Sequence, residues 1–175
     1  DITRKLLMQS SLDIEALVRQ DLATVLALAI DKAALHGTGS SNQPTGIAAT
    51  SGIGSVAGGT NGAAPSYANL IALETEVAQD NADIGRVAYM TNTKVRGKLK
   101  STVIGTDQRM VWSDGGTPIN GYPCWITNQV ASNLTKGSAD SVCSAIFFGN
   151  WGDLLIGMWG GLDILVDPYT ASTTG

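Results

Sequence analysis

The apolar residues between positions 12 and 35 recur at intervals of three and four. Ile14, Leu17, Val18, Leu22, Val25, Leu28 and Ala29 fall on one stripe of a 3.6-residue repeat. The spacing predicts a helix over Leu12–Leu35. Ser11 or Asp13 is placed to cap its start, and Gly37 stands where helices commonly stop in a left-handed residue. His36, in the last turn, is expected to favour the carbonyl end of the helix. From Gly37 to Pro65 the periodicity dissolves into a loop rich in Gly, Ser and Thr. Ser66 then caps a second helix, with Leu70, Leu73 and Val77 as its buried side and an acidic face toward solvent. Arg86–Thr91 reads as a short strand. Asn92 or Thr93 caps a brief helix through Lys100, with Val95 and Leu99 one turn apart.

Residues 106–120 are polar and rich in turn formers. Tyr122–Val130 reads as a strand bent at Pro123. The last third alternates apolar runs (Ala145–Phe148, Leu154–Met158, Leu162–Val166) with glycine turns at Gly149–Gly152 and Gly160-Gly161. This pattern predicts an antiparallel meander, and with the helices before it an α+β class. Phe147 or Phe148, Trp159 and Leu162 are expected in its core.

The chain has 175 residues, within the ~100–200 of a single domain. Charged residues make up 15%, against ~25% in typical soluble domains, and 21 glycines fill part of the difference. The longest strongly apolar run, Leu22–Ile30, is far short of the ~20 residues that cross a bilayer. No basic, apolar leader opens the sequence, and it starts without Met, so a piece of something longer is expected. The net charge of −4 is laid out in blocks. Ser66–Asp83 carries Glu74, Glu76, Asp80 and Asp83 with no cation. Arg86–Arg109 carries Arg86, Lys94, Arg96, Lys98, Lys100 and Arg109 against Asp107 alone, and beyond it only Lys136 opposes five aspartates. Blocks of opposite sign suit pairing between neighbouring copies, or within one chain.

Catalytic and cofactor chemistry find little footing. Cys124 and Cys143 sit in apolar stretches and are expected to be buried free thiols. With His36 as the one histidine, their spacing fits no zinc motif, and a nucleophile–base pair would have to use a residue at a helix end. Gly52-Ile-Gly54-Ser-Val-Ala57 matches a dinucleotide fingerprint formally. No strand leads into it, and Gly58-Gly59-Thr60-Asn61-Gly62 cannot open the helix that would hold a pyrophosphate. The "KVRGKLK" run lacks interleaved aromatics, so a solvated or subunit-facing surface is the simpler reading than a nucleic-acid patch. No catalytic residue, cofactor or metal site is expected.

Three stretches, in order, resemble the major capsid proteins of tailed bacteriophages. "DIEALVRQDLATVLALAIDKAALHGTGSSNQPTGI" is similar to that family's long spine helix and the turn after it, at Gly37, Gly39, Pro44, Gly46 and Ile47. "NGYPCWITNQV" is similar to the family's Gly-Tyr-Pro strand at Gly121, Tyr122 and Pro123. "FFGNWGDLLIGMWGGLDILVDPYT" is similar to its closing segment, with Asn150 where Asp is common. The acidic helix and the "MTN" strand lie between them.

The resemblance implies a spine helix joined to an axial domain built of a mixed or antiparallel sheet with flanking helices. Residues 1–50 would belong to the peripheral domain, 51–167 to the axial domain, and 168–175 to a truncated return. The N-terminal arm, the extended hairpin loop and the final strands of the family have no counterpart, so a trimmed capsid protein is expected. Some members crosslink covalently through those regions, which leaves no catalytic residue to carry over to Lys98 or Asn120. The implied function is structural: copies form pentamers and hexamers of an icosahedral shell that encloses DNA without specific binding, in a virion made in the bacterial cytoplasm. Scaffolding or portal proteins are implied partners, and no membrane. Candidate subunit-interface residues are Glu74, Glu76 and Asp80 against Lys94, Arg96 and Lys98. The candidate loop at the capsomer axis holds Asp107, Gln108, Arg109 and Asp114. Alternatives are the shell of a protein nanocompartment of the same fold, or a small soluble enzyme or binding domain.

Overall fold

The computed structural model describes residues 13–106, 109–113 and 118–160. Among these residues, three α-helices, α1 (Ile14–His36), α2 (Tyr67–Gln79) and α3 (Thr93–Ser101), and a 3-10 turn at Ile47–Ala49 accompany five strands: β1 (Val87–Thr91), β2 (Cys124–Ile126), β3 (Leu134–Lys136), β4 (Ala139–Cys143) and β5 (Ile146–Asn150). Chain contacts define two units, one of residues Asp31–Leu155 and one of Asp1–Ile30 with Ile156–Gly175.

In the larger unit, β1 is the central strand of a three-stranded sheet ordered β2-β1-β5. It pairs parallel to β2, with Tyr89 opposite Cys124, and antiparallel to β5, with Tyr89 opposite Phe148. Parallel pairing requires a long crossover, and α3 and the segment after it supply one. A central strand covered on both faces has no solvated side, and four of the five β1 residues are buried. Tyr89 and Leu70, neither exposed at all, centre a core with Val95, Leu99, Val111, Trp112 and Ile119. The class is α+β with a mixed sheet.

Local chemistry sets the helix ends. Asp13 Oδ1 accepts the Ala16 N–H (3.1 Å), Ser66 Oγ the Asn69 N–H (3.2 Å), and Asn92 Oδ1 the Val95 N–H (3.0 Å). Asn92 is itself buried and donates its amide to the Ala131 carbonyl (3.1 Å). Beside it, Thr91 Oγ1 donates to the Ala145 carbonyl (3.0 Å), so the "TN" pair ties β1 to two later loops.

Gly37 is not a left-handed stop, since its φ is not positive. It continues the helical bonding by donating to the Ala33 carbonyl (2.8 Å), and the Gly46 N–H donates back to Gly37 (2.9 Å). A Cβ on Gly37 would lie 2.1 Å from the Pro44 carbonyl oxygen, and one on Gly46 would lie 2.5 Å from the Gly37 nitrogen. The two glycines are needed for backbone-to-backbone contact.

The meander is replaced by a different arrangement. The sheet takes β5 against β1 rather than against the apolar run C-terminal to it, and residues 154–158 form no strand. Strand β5 runs through Gly149 to Asn150, whose Oδ1 accepts the Arg86 and Gly152 N–H groups (3.0 and 3.1 Å) and so makes the turn itself. The β3–β4 hairpin is an addition that the polar sequence of 133–141 did not signal. Phe148 packs on the core, but Trp159 is 99% exposed, and Leu162 lies outside the described residues. In the smaller unit the expected apolar stripe of α1 is uncovered at Leu17, Leu22, Val25 and Leu28. Both cysteines are free but half-buried rather than buried, and burial pushes the Cys124 thiol up to about 11.

His36 does not act as a cation at the helix end. Its Nε2 accepts the Ala131 N–H (2.9 Å), which requires a neutral ring, and the ring packs 5.4 Å from Phe147. Burial first, and Lys32 second, hold its pKa below the ordinary value. The unfolded chain therefore binds more protons there than the native one just below pH ~6.5. This contribution to stability is complete above that pH and is lost as pH falls toward the lowered native value. Urea midpoints measured between pH 7.5 and pH 5 should fall for the parent chain and change less for His36→Gln. An equal fall in both would assign the pH dependence to carboxylates.

Candidate functional site

Charge, rather than a reactive group, distinguishes the surface of the larger unit. On α2 successive acidic residues do not share a face, because Glu74 and Glu76 are separated by ~200° of helix. Glu74 turns inward. Its carboxylate accepts both Asn120 Nδ2 contacts (2.8 and 2.7 Å) and the hydroxyl of Tyr89, which also donates to the Leu70 carbonyl (3.1 Å). Tyr67 donates to Asn120 Oδ1 (2.7 Å), completing a network across α2, β1 and the Asn120-Gly121 turn. Burial and the Glu74 carboxylate raise the Tyr89 pKa above its ordinary value. Asn120 and Gly121 both have positive φ, the backbone of a tight Asn-Gly turn.

Glu76 and Asp80 lie on the other side of α2. They line, with Asp153, a groove of about 420 Å³ whose walls include Ile53, Phe147 and Trp151. Asp80 is exposed and Glu76 half-buried.

The basic block divides in the same way. Lys94 and Lys98, one turn apart on α3, line a second cleft of about 460 Å³ together with Lys136 of β3. Arg96 is exposed and absent from that lining. Lys94 donates to the Val142 carbonyl (2.9 Å). Among the described residues an ion pair joins Arg19 to Glu15 on α1 (2.7 Å), and none links Lys94, Arg96 or Lys98 to an α2 carboxylate.

Of the candidate axis loop, Asp107, Gln108 and Asp114 lie outside the described residues. Arg109 is exposed, and its carbonyl accepts the Ile104 N–H (2.7 Å) next to a bridge between Val103 and Met110. Lys136 was not among the sequence candidates. Its isolation in an acidic tail was visible, but its approach to α3 depends on the hairpin.

This surface can hold and pair charges, and its described residues gather no group of His, Cys, Asp and Glu suited to a metal. The profile of the phage capsid family matches residues 1–175. The major capsid protein of Halomonas phage phiHAP-1 is 35% identical over 175 residues, an alignment covering 99% of this chain and 26% of that protein. The chain thus spans about a quarter of the length of that relative.

Proposed function

The chain belongs to the phage capsid family, and from that premise we propose that it is part of a major capsid subunit whose work is assembly rather than catalysis. The observation that carries this is the family match along the whole chain. Copies form the pentamers and hexamers of an icosahedral shell that encloses DNA, in a virion assembled from protein made in the bacterial cytoplasm. A scaffolding or portal protein is the expected helper. On this reading residues 1–50 belong to a peripheral domain, 51–167 to an axial domain and 168–175 to the start of a return. Leu155, Met158 and Trp159 are 89%, 62% and 99% exposed and are available for contact with neighbouring copies.

Contacts around a capsomer are heterologous, so each copy needs two different complementary surfaces. We assign Glu76 and Asp80 to the acidic one and Arg96 to the basic one. Glu74 contributes less, because its carboxylate is already occupied within the chain. Such pairs add only ~0.2–1 kcal/mol each and act mainly on encounter and register. Reversing Arg96 to Glu in the full-length protein should slow assembly at low salt, as followed by light scattering, and Asp80→Lys on a second chain should restore mixed assembly. Assembly at the parental rate would show that these charges serve only solubility.

A further inference from the structure

The cleft beside α3 has a property that shell assembly does not require. Lys94, Lys98 and Lys136 line it and no carboxylate does, although the chain carries a net charge of −4. Neither Lys98 nor Lys136 has an ion-pair partner among the described residues. Three like charges around one opening repel each other and focus a positive potential into it.

The walls are fixed rather than improvised. Asn61 Oδ1 accepts the Ser138 N–H (3.0 Å), which pins the loop at residues 56–65 to the β3–β4 turn. That contact depends on Gly137, at φ +58, where a Cβ would sit 2.2 Å from Asn61 Oδ1. In the wall, Ser144 Oγ is buried without a hydrogen-bond partner. Leu73, Val95 and Ile146 supply an apolar floor.

We propose that this cleft binds the phosphate groups of a nucleic-acid strand. A phosphate offers several acceptor oxygens, enough for several lysine ammonium groups together. Lysine binds it as a point charge without needing a planar fork. A cleft of about 460 Å³ exceeds the needs of one phosphate, and the apolar floor takes the attached sugar and base. The site is separate from the shell reading, since a chain that built no shell could still bind there.

Three neutralised phosphates on a single strand imply a slope of about −2 in log K against log salt, or about 20-fold weaker binding between 50 and 200 mM. The test is fluorescence anisotropy of a labelled short oligothymidylate with the parent protein and its variants, each confirmed to be folded by its melting curve. The Lys98→Glu/Lys136→Glu variant should bind about tenfold or more weakly with a shallower salt slope. Arg96→Glu, which reverses one charge outside the cleft, should cost less than about threefold. Thymidine monophosphate should displace the strand at lower concentration than inorganic phosphate. The proposal is overturned by any of four results: no binding at 50 mM salt; an Arg96→Glu loss equal to that of the cleft variant; equal displacement by inorganic phosphate, which would assign the cleft to the free ion; or cleft variants that alter sedimentation of the nucleic-acid-free protein while binding the strand normally, which would make it a contact between copies.

Discussion

Tyr89→Ala is expected to lower the unfolding free energy by about 3–5 kcal/mol, the range seen when a buried aromatic side chain is truncated. Tyr89 is wholly buried, sits in the central strand, and meets the rings of Phe148 at 4.5 Å and Tyr122 at 6.5 Å. Its loss opens a cavity between β1 and α2. It also removes the hydroxyl that bonds the Leu70 carbonyl and the Glu74 carboxylate. Against a typical domain stability of ~5–15 kcal/mol, that is enough to unfold a marginal chain. Tyr89→Phe separates the two contributions. It keeps the ring and should cost only ~1–3 kcal/mol, since Asn120 still holds Glu74. Denaturant midpoints at constant m-value check both substitutions, and equal losses for the two would mean that the ring packing contributes nothing.

Gly37→Ala should be nearly as damaging. The new methyl would lie 2.1 Å from the Pro44 carbonyl oxygen and 2.5 Å from that of Ala33. Both are backbone atoms held by hydrogen bonds, so neither can rotate away as a side-chain end would. Overpacking of this kind costs ~1–3 kcal/mol and occasionally more, and the upper end is expected here. Gly97→Ala is the matched control. Gly97 lies inside α3 with nothing within 4 Å of the added carbon, so alanine should stabilise by ~0.4–1 kcal/mol. Thermal midpoints that move in the same direction for both substitutions would contradict the close Gly37–Gly46 contact.

What the sequence made legible was local. The Ser66 and Asn92 caps, the β1 strand and the Leu70 and Val95–Leu99 packing positions all follow from side chains that act within a few residues. What it hid was non-local. Strand β2 is only three residues long and begins after Pro123, and nothing in its residues says that it pairs parallel to β1 across the α3 crossover. The run at 154–158 has the apolar spacing of a strand but no partner among the described residues, and spacing alone does not supply one. Gly37 stands out in the sequence as a helix stop, whereas its role is to admit the close approach of Pro44 and Gly46, which only the fold creates. The charge blocks were visible as blocks. Their division by helix phase, with Glu74 inward, Glu76 and Asp80 on a groove, and Lys94 and Lys98 on a cleft, was computable from the helix repeat once α2 and α3 were assigned. The addition of Lys136 was not, because it arrives on a hairpin with no apolar alternation to announce it.

Whether this chain is shell material is tested most directly by electron microscopy of the full-length protein, purified after expression in bacteria and incubated over a range of concentrations and salt. The expected result is closed particles of uniform diameter whose surfaces resolve into five- and six-fold capsomers, with the region of residues 51–160 around each axis. Protein that stays monomeric at every concentration, or that forms only irregular aggregates, would contradict a shell-building role.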